Sequence, residues 1–248
     1  MKKTITRTLL ATMVLLLGIA FSSSAQTYHD VYICGNASVK LHMPEENTLT
    51  AGDKVHWYLE GVEVAGSPIT YSAANSTDLT IPANLAVGLH NYTTRIESAA
   101  GCWGDMSDPF EIYKLPTKDL ALTTGVSTYC GAASGSVAGS TITATTTPAA
   151  ALPAGIDYAY TWTVTSGGNP ATPGTPDNSN TATSVYTMNT TTAGSYVFNA
   201  SVKYVLAAGN TGVLVSADTN GCSVTSASSL TVIVTPKPTK PTISLVNR

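Results

Sequence analysis

Apolar and polar residues alternate along most of this chain, in runs too short for helices and with the two-residue period of strands half buried on a sheet. The clearest run is Val55-His56-Trp57-Tyr58-Leu59, and a second is Tyr158-Ala159-Tyr160-Thr161-Trp162-Thr163-Val164. The pattern predicts strands over Asp30–Cys34, Ser38–His42, Lys54–Leu59, Asp78–Ile81, His90–Ser98 and Phe110–Leu115. It predicts a second set over Thr141–Thr147, Tyr158–Val164, Thr183–Met188, Gly194–Tyr204, Val213–Asp218 and Leu230–Val234. Turn residues punctuate them, among them Gly35-Asn36, Ala51-Gly52-Asp53, Glu60-Gly61 and Ala100-Gly101, and Ser166–Asn180 reads as a loop. Pro44, Pro82, Pro109 and Pro153 fall between the runs, as sheets require. Many short alternating strands separated by turns describe β-sandwiches.

The runs repeat as a unit. Tyr32-Ile33-Cys34-Gly35 is answered by Tyr129-Cys130-Gly131, and Ala100-Gly101-Cys102 by Asn220-Gly221-Cys222. A Trp follows the first Cys of each pair, at Trp57 and Trp162. Each last strand leads into Pro-Thr-Lys, at Pro116-Thr117-Lys118 and Pro238-Thr239-Lys240. This organisation divides the chain into residues 26–115, residues 116–236, and a Pro-rich segment 237–248. On the repeat, Pro241 to Val246 opens a third unit, so the chain is either a piece of a longer array or carries an orphan strand. Ile243, Leu245 and Val246 are the apolar residues such a strand would add to a sheet edge of another copy.

Residues 1–25 have a different character. Lys2, Lys3 and Arg7 precede the apolar run Leu9–Phe21, and Ser22-Ser23-Ser24-Ala25 supplies small residues before Gln26. That is the form of a secretory signal peptide; thirteen helical residues rise only about 20 Å, short of a bilayer core of roughly 30 Å. Removing its three cations takes the net charge from −3 to −6. Export to an oxidising, bacterial extracellular or cell-surface location makes the four cysteines structural. Four cysteines allow three connectivities, and the repeat favours one per unit, Cys34–Cys102 and Cys130–Cys222, with Trp57 and Trp162 packed on them in the cores.

Composition and spacing then exclude chemistry. Arg95 and Arg248 are the sole arginines beyond the signal and no basic patch exists, which excludes nucleic acid. No later segment is long and apolar enough to span a membrane. His29, His42, His56 and His90 lack metal-ligand spacing, no two cysteines are near neighbours, and Asp53, Asp105 and Asp108 fall short of a calcium shell. Glu60 and Glu63 sit on a hairpin turn as solvated acids, and no Gly-x-Ser-x-Gly elbow or phosphate-binding loop occurs. No catalytic residue, metal site or cofactor is expected. Sequons at Asn36, Asn75, Asn91, Asn189 and Asn199 follow from an Asn- and Thr-rich composition. Trp103, beside Cys102 on a hairpin, together with Tyr58 and Tyr113 on strands, is a candidate ligand surface for a glycan or protein.

Taken together, Tyr-x-Cys-Gly or Tyr-Cys-Gly, the strand Trp, Gly194-Ser195-Tyr196-Val197-Phe198, Asn-Gly-Cys and the Pro-rich linker carry a resemblance over the whole mature chain. The sequence resembles the Ig-like (PKD-like) repeats of large secreted bacterial adhesins and surface proteins. The resemblance implies an all-β chain of two tandem immunoglobulin-like sandwiches. In such proteins these modules act as spacers and adhesive elements, without catalysis. A self-assembling filament subunit joined by strand addition and an accessory carbohydrate-binding module are the other two readings. Partners would be other protein modules, copies of the chain, or surface glycans.

Overall fold

The computed structural model describes residues 28–131, 139–217 and 221–244. The expected signal peptide, residues 1–25, and Leu245 and Val246 of the expected orphan strand lie outside them.

The first module contains β1 (Val31–Cys34), β2 (Val39–Leu41), β3 (Lys54–Leu59), β4 (Val62–Glu63), β5 (Ile69–Thr70), β6 (Leu79–Ile81), β7 (Gly88–Glu97) and β8 (Phe110–Lys114). One 3-10 turn, Pro44–Thr48, is the helical element among the described residues. Strands β8-β7-β3-β4 form one antiparallel sheet, with β1 added in parallel to β8; β2 and β6 pair antiparallel in the facing sheet. Val31, Ile33, Val55, Trp57 and Ile112 from the first sheet close on Leu41, Leu79 and Ile81 from the second. The alternation read in the sequence decides which residues these are. In β3, Val55 and Trp57 turn inward, and Trp57 donates its indole N–H to the Thr77 carbonyl at 2.9 Å.

The second module contains β9 (Lys118–Thr124), β10 (Thr128–Cys130), β11 (Ser140–Pro148), β12 (Ile156–Ser166), β13 (Asn169–Pro170), β14 (Gly174–Pro176), β15 (Thr183–Met188), β16 (Gly194–Leu206), β17 (Val213–Ser216), β18 (Val224–Thr225) and β19 (Leu230–Thr235). Its sheets run β14-β15-β11-β9 and β10-β19-β16-β12-β13, with β10 parallel to β19. These are the two sheets and the strand order of an immunoglobulin-like sandwich, and the first module repeats the same plan with fewer strands. Ile142, Tyr186 and Met188 meet Val164, Phe198, Val232 and Val234 in the distal core.

Strand bounds agree with the sequence pattern at Lys54–Leu59 and Thr183–Met188. Three departures matter. The Pro-Thr-Lys segment is no free linker: Lys118 is buried and begins β9, whose Leu120 and Leu122 pack in the core beneath it. The loop at Ser166–Asn180 contains two short strands, β13 and β14. Strand β17, from the second module, pairs with β1 of the first.

Candidate functional site

The boundary between the modules joins them through packing, strand pairing and a cystine. On β1, Val31 and Ile33 face the first core, so the alternation turns Tyr32 and Cys34 outward. That outward face is covered by the second module, leaving both residues fully buried. Tyr32 joins Tyr158, Tyr204, Ile156, Val202 and Leu120 in one core cluster. Its hydroxyl donates to the Ala154 carbonyl and accepts the His29 N–H, both at 3.1 Å.

The link is also made through backbone. The long connection between β16 and β19 sends β17 back along β1, in parallel, with Tyr32 opposite Leu214, Ile33 opposite Val215 and Cys34 opposite Ser216. Leu214 packs on the junction core while Val215 packs on the core of the first module. One strand of the second domain thus completes the first.

Lys118 closes the arrangement. Its ammonium lies 3.8 Å from the Tyr204 ring centroid and donates to the Cys222 carbonyl. A buried cation is tolerated where a π face and a carbonyl replace its water. Tyr204 donates its hydroxyl to the Pro116 carbonyl at 3.1 Å, and burial holds its pKa far above the usual phenol range.

The cystine at this boundary corrects the pairing expected from the repeat. Cys34 is bonded to Cys222, with Cα atoms 5.9 Å apart, while Cys102 and Cys130 are free and exposed. Strand register explains why Cys34–Cys102 and Cys130–Cys222 do not form. Ile33 lies beside Lys114, which pairs with Gly88 at one end of β7; Cys102 sits past Glu97 at the other. Ten residues of strand separate them by roughly 30 Å. In the second module Cys130 lies beside Thr235, next to the Gly194 end of β16, whereas Gly221 bonds Tyr204 near the opposite end. A cystine cannot span either distance. Gly35, at φ +61°, lets the chain turn against the bond: a Cβ there would press on the Cys222 sulfur at 3.1 Å. Neither tryptophan packs as expected on an intramodular cystine. Trp57 is in a core that contains none, and Trp162, half-buried, donates to the Ser184 hydroxyl at 3.1 Å.

A second constellation lies on the outer face of the first module. Register places His56 opposite Arg95, Lys54 opposite Glu97 and Tyr58 opposite Thr93. His56 bonds Glu63 at 2.7 Å and Glu97 at 3.1 Å. Trp103, 47% exposed, rests on the His56 ring at 4.5 Å, with the Arg95 guanidinium 4.8 Å from its centroid. Hydrogen bonds from His56 and then Lys54 hold the Glu97 carboxyl below the usual range. Tyr58 shares this face. Tyr113 does not: it is stacked on His29 at the junction, 5.2 Å between centroids. Sequence reasoning singled out Trp103 but not its His56–Glu63–Glu97 support, which comes from three separate strands. The Lys54-His56-Tyr58 alternation was the available signal.

Among the described residues one trio, His42, Glu46 and Asp78, brings ligand atoms within 4.8 Å of one another. Its groups already have partners. His42 bonds Asp78 at 2.8 Å, and buried Glu46 accepts the Thr77 hydroxyl and the N–H groups of Asn75 and Thr77. These bonds, led by the Thr77 hydroxyl, hold Glu46 below the usual carboxylate range. Asp53 is likewise spent on a turn, accepting from Thr50 and Ala99 N–H. A depressed carboxylate stabilises the fold above its unfolded pKa, and that contribution is lost as pH falls through the folded value. Stability should therefore drop as pH goes below about 4. Glu46→Gln should lower stability at pH 7 and flatten that acid limb, as read by melting temperature against pH.

No family model matches the sequence, and no curated protein matches it. Similar solved structures include the fibronectin(III)-like modules of Clostridium thermocellum CbhA, 12% identical over 86% of this chain and 93% of that one, TM-score 0.40. The D00-D0 domain of intimin is 15% identical over 83% and 96%, TM-score 0.31. The titin Ig tandem A164-A165 is 14% identical over 86% and 96%, TM-score 0.28. The chain's own strand order and its parallel β1–β8 and β10–β19 pairs carry the assignment: two immunoglobulin-like sandwiches in tandem.

Proposed function

We propose that this chain is a non-enzymatic extracellular module protein, a stiff two-domain segment working in adhesion or as a spacer. The observation that carries the reading is the boundary itself. Independent modules on a linker keep their sheets apart, whereas here β17, the Tyr32 core and the Cys34–Cys222 bond tie the two together. A spacer benefits from that stiffness, since it holds a terminal surface at a fixed distance and transmits force through a covalent bond. The resemblance to adhesin repeats supports the same reading, and so does the arrangement of the polar side chains. His29, His42 and His56 are each engaged with carboxylates, and His90 bonds the Ala86 carbonyl. The Trp103 face is where an adhesive ligand would stack. Small-angle scattering of the secreted protein tests the stiffness. One extended particle, with a maximum dimension unchanged by ionic strength, is expected; a broad distribution of interdomain distances would refute it.

A further inference from the structure

The two free thiols occupy the same places in their modules as the two bonded ones. Cys34 ends the parallel strand β1 of the first module, and Cys130 ends the matching strand β10 of the second; each directly follows a residue turned into its own module's core, Ile33 or Tyr129. Cys222 and Cys102 both lie in the connection after the long strand, β16 or β7. Their N–H groups are held in the same way, by the Ser216 hydroxyl at 3.1 Å and the Ser98 hydroxyl at 3.0 Å. The bond that exists joins the first kind of cysteine in one module to the second kind in the following module. By register, Cys102 lies at the end of the first module away from the junction, and Cys130 at the end of the second module away from it. They face opposite ends of the molecule, so they cannot meet within one copy.

We infer that Cys130 of one copy bonds Cys102 of the next, repeating between molecules the cysteine pairing seen within one. This goes beyond the spacer reading and rests on it only for the oxidising location, where exposed thiols are open to pairing as disulfides. Two further features fit a second copy. Lys118, which follows Pro116-Thr117 and clamps the Cys222 carbonyl, has an exposed counterpart in Lys240 after Pro238-Thr239. Strand β9, which Lys118 begins, pairs with β11; the matching strand β2 has no third strand beside it among the described residues, and residues 241–244 after Lys240 are exposed, Ile243 fully so. The short hairpin at Cys102 has no counterpart of β17, which leaves the cystine as the main tie. The contact is head-to-tail, so it propagates into a chain rather than closing as a symmetric dimer. The chemistry is thiol–disulfide exchange with a disulfide-bearing oxidant: both thiols lose their protons, one S–S bond forms, and the oxidant's disulfide is reduced to two thiols.

The test uses the exported mature protein on non-reducing gels with peptide mapping. Wild type should give a ladder of multiples that collapses on reduction. Cys102→Ser and Cys130→Ser should each remain monomeric, and an oxidised mixture of the two should stop at dimer, linked Cys130 to Cys102. Single variants that dimerise as readily as the mixture, or free Cys102 and Cys130 thiols in wild type, would overturn the inference. The Cys34–Cys222 peptide in the same digest reports separately on oxidation and on the intramolecular junction.

Discussion

Replacing Cys34 by serine should cost the protein about 2–5 kcal/mol, while Cys102→Ser should change stability by less than about 0.5 kcal/mol. The bonded pair is 188 residues apart, and in the chain-entropy model closing a loop of that length is worth about 5 kcal/mol as an upper bound. The serine also leaves a hydroxyl at a position with no exposure, between β17 and the Leu115–Leu120 core. Urea denaturation followed by tryptophan fluorescence measures both variants. Equal effects from the two substitutions would mean that the cystine is elsewhere.

Tyr32→Ala should be nearly as damaging, at about 3–5 kcal/mol, as for other large aromatic truncations in cores. Tyr32 belongs to the first module by sequence but fills the core of the junction, so its loss leaves a void among Tyr158, Tyr204 and Val202. Tyr32→Phe keeps the volume and loses the bond to Ala154, which should cost about 1–2 kcal/mol. Tyr58→Ala, on the half-buried outer face, is the matched control and should fall well below Tyr32→Ala. If the modules were beads on a string, Tyr32 would be a surface residue and the two alanine variants would behave alike. Calorimetry of all three separates the cases.

These expectations mark where the sequence was readable. Two-residue alternation exposes the strands directly, because most inward residues are apolar: Val55 and Trp57 in Lys54–Leu59, and Tyr186 and Met188 in Thr183–Met188, where the buried Ser184 is satisfied by Trp162 and Asp177. It does not say which strand lies beside which. Val213–Ser216 reads as a strand, but nothing local reveals that its partner is β1, at the other end of the chain. Strand β9 was hidden because Pro-Thr-Lys has the composition of a linker, and only the buried π contact of Lys118 shows otherwise. The cysteines show the same limit. A duplicated Cys framework points to a bond within each unit but is also compatible with a bond from one unit to the next, and only register along β7 and β16 decides between them. Of the candidate surface, Trp103 was visible as an aromatic beside a hairpin cysteine. Its grip by His56 and Arg95 depends on cross-strand pairing that a single sequence does not display.

Peptide mapping of the oxidised protein, digested without reduction, probes the fused junction most directly. A Cys34-containing peptide joined to a Cys222-containing peptide is the predicted product. Recovery of Cys34 joined to Cys102, with Cys130 joined to Cys222, would separate the two sandwiches and contradict the account.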